Sequence, residues 1–275
     1  STTGSNSVAV GHETLSSCAT GGDNIAIGSY TGDAITTGIR NIAIGSGALD
    51  QVTTQHYNVG IGFRSLYKTT GVDGNVGVGH ETLYENTSGN YNTAIGHEVL
   101  LVNTTAAHNT GLGSQALKAN TTAGSNTAIG SNAMVATTTG DDSVAVGAYA
   151  LAGNTTGHSN TALGKSALYT NTTGHSNVAV GKSALNVNTT GANNVAVGRY
   201  ALDANTTGGA NVGIGLNALS ANTEGDLNTA VGRDAMLSNT TGEYNVAVGS
   251  YSLDANTVGN NHVAIGYGAL GYNTS

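Results

Sequence analysis

The chain has 275 residues, of which 42 are glycine and only 9% are charged. Its net charge is −8, it has no proline or tryptophan, and Phe63 is its one phenylalanine. That excludes the basic surface of a nucleic-acid binder and departs from the composition of a typical enzyme. No apolar run of 18 residues occurs, so no membrane-spanning helix is predicted.

From the amino end, a triplet of small and aliphatic residues closed by glycine recurs at Gly11, Gly28 and Gly45, and then at every 17th residue to Gly266. The sixteen copies contain no insertion or deletion. Constant length means that every unit follows one backbone path and stacks on its neighbour in register, as in a solenoid. With that glycine as position zero, the unit is N-V-A-V-G-x-x-A-L-x-x-N-T-T-G-x-x. No 3.6-residue period is sustained. The reading is an all-β parallel β-solenoid, a β-roll of sixteen coils of 17 residues, forming one solenoid over 1–275.

Within each unit, alternation at −3 and −1 predicts a short strand, and a second short strand is expected to carry the leucine or methionine at +4, replaced by glycine only at Gly32. These three positions are taken as the core. Position −2 is always Ala or Gly, and +3 is Ala, Ser or Thr except at Val99. An outward row of small residues would mean close approach by an identical surface. The −2 row is therefore the expected contact of a homotrimer: Ala9, Ala26, Ala43, Gly60, Gly77, Ala94, Gly111, Ala128, Ala145, Ala162, Ala179, Ala196, Gly213, Ala230, Ala247 and Ala264. A coil flat enough to turn this row inward is the alternative.

Glycines at zero and +10 are expected to supply positive φ at the turns. Asn stands at −4 in thirteen copies and at +7 in eleven, and Thr at +8 in all but one. At the strand spacing of about 4.8 Å such columns form amide and hydroxyl ladders, and the rod would be roughly 75 to 80 Å long.

Few side chains suggest chemistry. Cys18 takes the place of an asparagine at +7 and is read as structural. His80, Glu81, His97 and Glu98 stack at +1 and +2 of adjacent coils, weak candidates for a divalent cation beside the simpler reading of solvent-facing variation. Lys165, Lys182 and Arg199 occupy +1 in consecutive coils, with Tyr200 beside them. Like charges in register repel unless partnered, so this stripe is a possible glycan contact. Nine N-x-S/T sequons occur, but the asparagine persists where the sequon fails, as at Asn222 and Asn256, so its role is read as structural. No catalytic constellation, cofactor motif or phosphate loop stands out, and the chain is not expected to be an enzyme. Ser1 enters mid-unit and Ser275 stops at +9 without capping units, so the chain is expected to be a segment of a longer fibre protein.

SNSVAVG at 5–11 and DDSVAVG at 141–147 resemble the S-V-A-I-G motif in the heads of trimeric autotransporter adhesins. NTALGKSALYTNTTG at 160–174 resembles the 17-residue repeats of phage tail-fibre-like proteins. The resemblance implies a left-handed β-roll packed three around an axis, in an extracellular, cell-surface or virion fibre that mediates attachment. The partners it implies are the chain itself and a cell-surface glycan or receptor, with no nucleic acid and no membrane insertion in this segment. A self-assembling extracellular filament and an ice-binding β-solenoid presenting the +8 threonines are the alternatives.

Overall fold

The structure, a computed structural model, describes residues 6–274, so Ser1 and Ser275 lie outside the described residues. The chain divides into two compact units, 1–139 and 140–275. The first holds eight three-residue strands, β1 (Val8–Val10) to β8 (Thr127–Ile129). The second holds eight more, β9 (Val144–Val146) to β16 (Val263–Ile265). Inside each unit successive strands pair in parallel and in chain order at a 17-residue shift, placing Ala43 opposite Gly60 and Ala162 opposite Ala179. Each unit is thus a parallel β-solenoid, and no helix occurs among the described residues.

The expected second strand is absent. Residues 182–187, which include the leucine of that coil, form a continuous turn. Its cause lies in the dihedrals: Ser183 at +2 and Leu185 at +4 have φ of 56° and 50°, in the left-handed region, and the same positions repeat this in coil after coil. Each non-glycine residue held there costs about 1–2 kcal/mol. Burial of the leucine, worth roughly 1.5–3 kcal/mol, offsets it.

The two faces of the strand are the reverse of those predicted. Ala26, Ala43, Ala94, Ala128, Ala145, Ala162, Ala179, Ala196, Ala230, Ala247 and Ala264 are buried within their own chain. Gly60, Gly77, Gly111 and Gly213 are buried with them, and only Ala9, in the first coil, is exposed. The −2 row therefore forms the interior and is unavailable as an outward contact, whereas −3 and −1 face out. The physical reason is the thinness of the coil. A Cβ on Gly213 would stand 3.2 Å from Cγ of Leu202, and one on Gly60 would stand 3.1 Å from Cγ of Leu49. Against the leucine only Ala or Gly fits.

Volumes are matched locally. Val99 puts a bulky side chain at +3, and the next −2 residue is Gly111, where a Cβ would come within 2.4 Å of the valine Cγ1. In the second coil, Gly32 removes the +4 side chain and Ile35, buried at +7, fills the space: a Cβ on Gly32 would meet Ile35 Cδ1 at 3.0 Å.

The asparagines close the coil. Asn177 donates its backbone N–H to Oδ1 of Asn160 at 3.0 Å and its Nδ2 across the coil to the Gly191 carbonyl at 2.8 Å. Asn188 donates its Nδ2 to Asn171 Oδ1 at 2.8 Å and to that same carbonyl at 2.9 Å. The +10 residue is the meeting point of both ladders. Gly191 does not have positive φ, contrary to expectation. A Cβ there would lie 2.4 Å from both Asn188 Oδ1 and the Gly208 carbonyl, so this coil is closed too tightly for a side chain, whereas Ala106 is accommodated at the same position of the first unit.

Gly111→Ala is expected to lower stability by about 1–3 kcal/mol, and Val99→Ala in the same chain to restore much of the loss, measured by denaturant unfolding as a double-mutant cycle. Additive effects would contradict the inward packing of the row.

Candidate functional site

With the small row turned inward, the outer strand face carries Val, Ile, Leu or Thr at both −3 and −1. Ile25, Ile27, Ile95, Leu112, Val144, Val146, Leu163, Ile214 and Val248 are each 36–43% exposed, the strand pairing in each unit stacking them in register. No charged side chain lies in these two rows. Contiguous apolar surface of this extent is rare on a monomer.

The turn after each strand carries the charged and aromatic side chains. The structure brings the predicted histidines together as a stacked column: Phe63 on His80 at 5.3 Å and His80 on His97 at 5.1 Å between ring centroids. Each imidazole Nδ1 lies 3.9 or 3.8 Å from the glutamate that follows it. Glu98, however, accepts from Lys118 at 2.7 Å and from Gln115 at 2.9 Å, and these bonds hold its carboxyl below the usual range. The carboxylate is committed to protein donors, and among the described residues no group of three or more His, Cys, Asp or Glu could hold a metal ion.

Lys165, Lys182 and Arg199 are exposed. None forms an ion pair among the described residues. Arg199 lies 4.6 Å from the Tyr200 ring centroid and donates to its hydroxyl at 3.3 Å. That bond, with the charges of Arg199 and Lys182, lowers the phenol pKa. The stripe is a solvated surface.

The threonines at +8 spend their hydroxyl protons inside the chain: Thr172 donates to the Thr189 carbonyl at 2.9 Å and Thr189 to that of Thr206 at 3.0 Å. Asn86, Asn103, Asn120, Asn154, Asn171, Asn188, Asn205 and Asn239 are fully buried. Their Nδ2 atoms, which a glycan would require, donate into the ladder, as Asn171 and Asn205 show. Cys18 is buried, its Sγ 3.4 Å from the Gly21 carbonyl.

A feature not singled out in the sequence is a pair of aspartates at +5 in adjacent coils, Asp33 and Asp50. Burial first, then the charge of Asp33 and a hydrogen bond with it, push Asp50 up to about 6, against the opposing effects of Tyr67 and Arg64. Stacking at a 17-residue offset was the signal that could have found it.

Comparison with protein families, with curated proteins and with solved structures gave no match to this chain.

Because the folded-state pKa of Asp50 is raised, its neutral form contributes stability that is complete below the unfolded value near 3.8 and lost as pH rises through about 6. Solvent access holds the effect to about 1 kcal/mol or less. Asp50→Asn should flatten the fall in stability between pH 4 and 7, read as the difference between variant and parent in denaturant midpoints. An identical pH profile for the two would contradict the pairing.

Proposed function

We propose that this chain is a segment of an extracellular self-associating fibre with a structural and attaching role, of the kind seen in trimeric adhesin heads and phage tail fibres. The observation that carries the proposal is the in-register apolar face formed by −3 and −1. About half of the sixteen −3 and −1 residues of each eight-strand unit are exposed and the rest partly so, and at roughly 50 Å² each the face approaches the about 800 Å² per partner of a standard interface.

The occupant is a second copy of the same chain. Within a unit, a face with a fixed strand repeat is matched in register only by a surface of the same repeat, and the absence of charge on it removes any electrostatic preference for another partner. Three copies can turn one such face each toward a common axis. The S-V-A-I-G resemblance favours that arrangement, and a cell surface or virion is the setting it suggests. Charged and aromatic turns would then stay on the outside of the assembly, available for attachment. The +8 threonines, whose protons are engaged in the chain, give the ice-binding alternative no support.

The test is mass by light scattering on the purified chain and on Val178→Lys/Val180→Lys, which places two charges on the outer face of one strand. A trimer that dissociates in the variant, with unchanged circular dichroism, is the expected outcome. A parent chain that stays monomeric at 100 µM, or a variant with the parental mass, would overturn the proposal.

A further inference from the structure

In fourteen coils the +2 position carries a side chain, and in two it is glycine, Gly47 and Gly268. Each gap opens a cavity on the turn face. The first is about 250 Å³ and has Tyr30, Phe63 and Tyr67 as aromatic walls, with Ser46, Asp50 and Arg64 as polar lining. It is smaller than the roughly 300–1,000 Å³ of pockets for drug-sized ligands, so it admits a single small ring. The second, about 230 Å³, has Tyr251, Asp254, Tyr267 and Tyr272 around Gly268, with Gly271 in the place that Asp50 takes in the first. The preceding coil supplies Tyr30 to the first cavity and Tyr251 with Asp254, at +2 and +5, to the second. Asp254 has a buried Oδ1 that no protein donor reaches. Tyr200 and Asp203 form the same pair, but there Asn217 stands where the two glycines leave space, donating to Asp234 at 2.8 Å.

We propose that these two cavities each bind one pyranose ring of a neutral hexose. The lining combines what such a ring offers: aromatic faces for its C–H side, carboxylate acceptors in Asp50 and Asp254, a guanidinium donor in Arg64, and hydroxyls that do both in Ser46 and Tyr67. Other small ligands fit less well. In the first cavity the Arg64 guanidinium, 5.0 Å from the Phe63 ring centroid and 5.3 Å from that of Tyr67, repels a cation by like charge and leaves the Tyr30 ring as the aromatic face for the sugar. An anion would meet the carboxyl of Asp50 there and that of Asp254 in the second cavity. An uncharged polyol avoids both conflicts. The hexose assignment gives a ligand class to the attachment half of the fibre reading and rests on that reading for its setting. Self-association is tested by mass and sugar binding by magnetisation transfer, so either can fail alone.

The experiment is saturation-transfer NMR on the full chain with the methyl glycosides of glucose, galactose and mannose at about 10 mM, above the millimolar Kd that one ring can be expected to give. The comparison is Gly47→Asn/Gly268→Asn, which fills both cavities. Asparagine already occupies +2 at Asn132 and Asn217, with φ of 57° and 53°, so the backbone accepts it. An unchanged melting temperature confirms the fold. The proposal predicts transfer to at least one glycoside by the parent and at least a fivefold loss in the filled variant. No transfer to any glycoside, transfer that survives filling, or transfer to choline chloride in place of the sugars would overturn it.

Discussion

Two buried asparagine amides converge on one backbone carbonyl, as Asn177 and Asn188 do on Gly191, and the stability of the repeat depends on that junction. It recurs at Gly174 and Gly208 in the same unit and at Ala106 in the other. Each amide ties a coil to its neighbour and also closes the coil on itself. Removing one leaves buried partners unsatisfied at about 1–3 kcal/mol each. A three-residue strand could not hold such a thin section by apolar burial alone, and the polar ladder supplies the register that a larger core would otherwise impose. In the first unit Cys18, Ile35 and Val52 replace the +7 asparagine and are buried there, so one of the two ladders is locally exchanged for apolar packing.

The constraint on register was legible in the sequence, and the direction of the side chains was not. Sixteen equal spacings and two columns of asparagine specify a parallel stack with amide ladders, and both are present. Alternation at −3, −2 and −1 defines two faces without saying which is inside. Taking Val178 and Val180 as core and Ala179 as contact follows the usual rule that larger apolar residues are buried, and it fails because Leu185 and its equivalents already fill the interior. The missed signal was the compensation between neighbours: Gly111 follows Val99, and Ile35 accompanies Gly32. Nor could residue type reveal the left-handed φ of Leu185, since leucine seldom adopts it and only a closed coil compels it.

That inversion changes the functional argument. A small row facing out would have meant close backbone approach between copies. Aliphatic rows facing out mean an apolar surface that water disfavours and that a like surface can cover. The candidate site was only partly visible: the Lys165, Lys182 and Arg199 stripe is exposed as its spacing suggests, and His80 and His97 do stack. The cavities were hidden because they come from absent side chains at Gly47 and Gly268, in a chain where glycine is everywhere.

The most direct test of the inverted strand is cysteine accessibility at 178, 179 and 180, one at a time, in a Cys18→Ala background, with maleimide labelling followed as protein concentration is varied. The account predicts that Ala179→Cys is protected at every concentration. Val178→Cys and Val180→Cys should label rapidly when dilute and slowly when concentrated. Rapid labelling at 179 with protection at its two neighbours would contradict it.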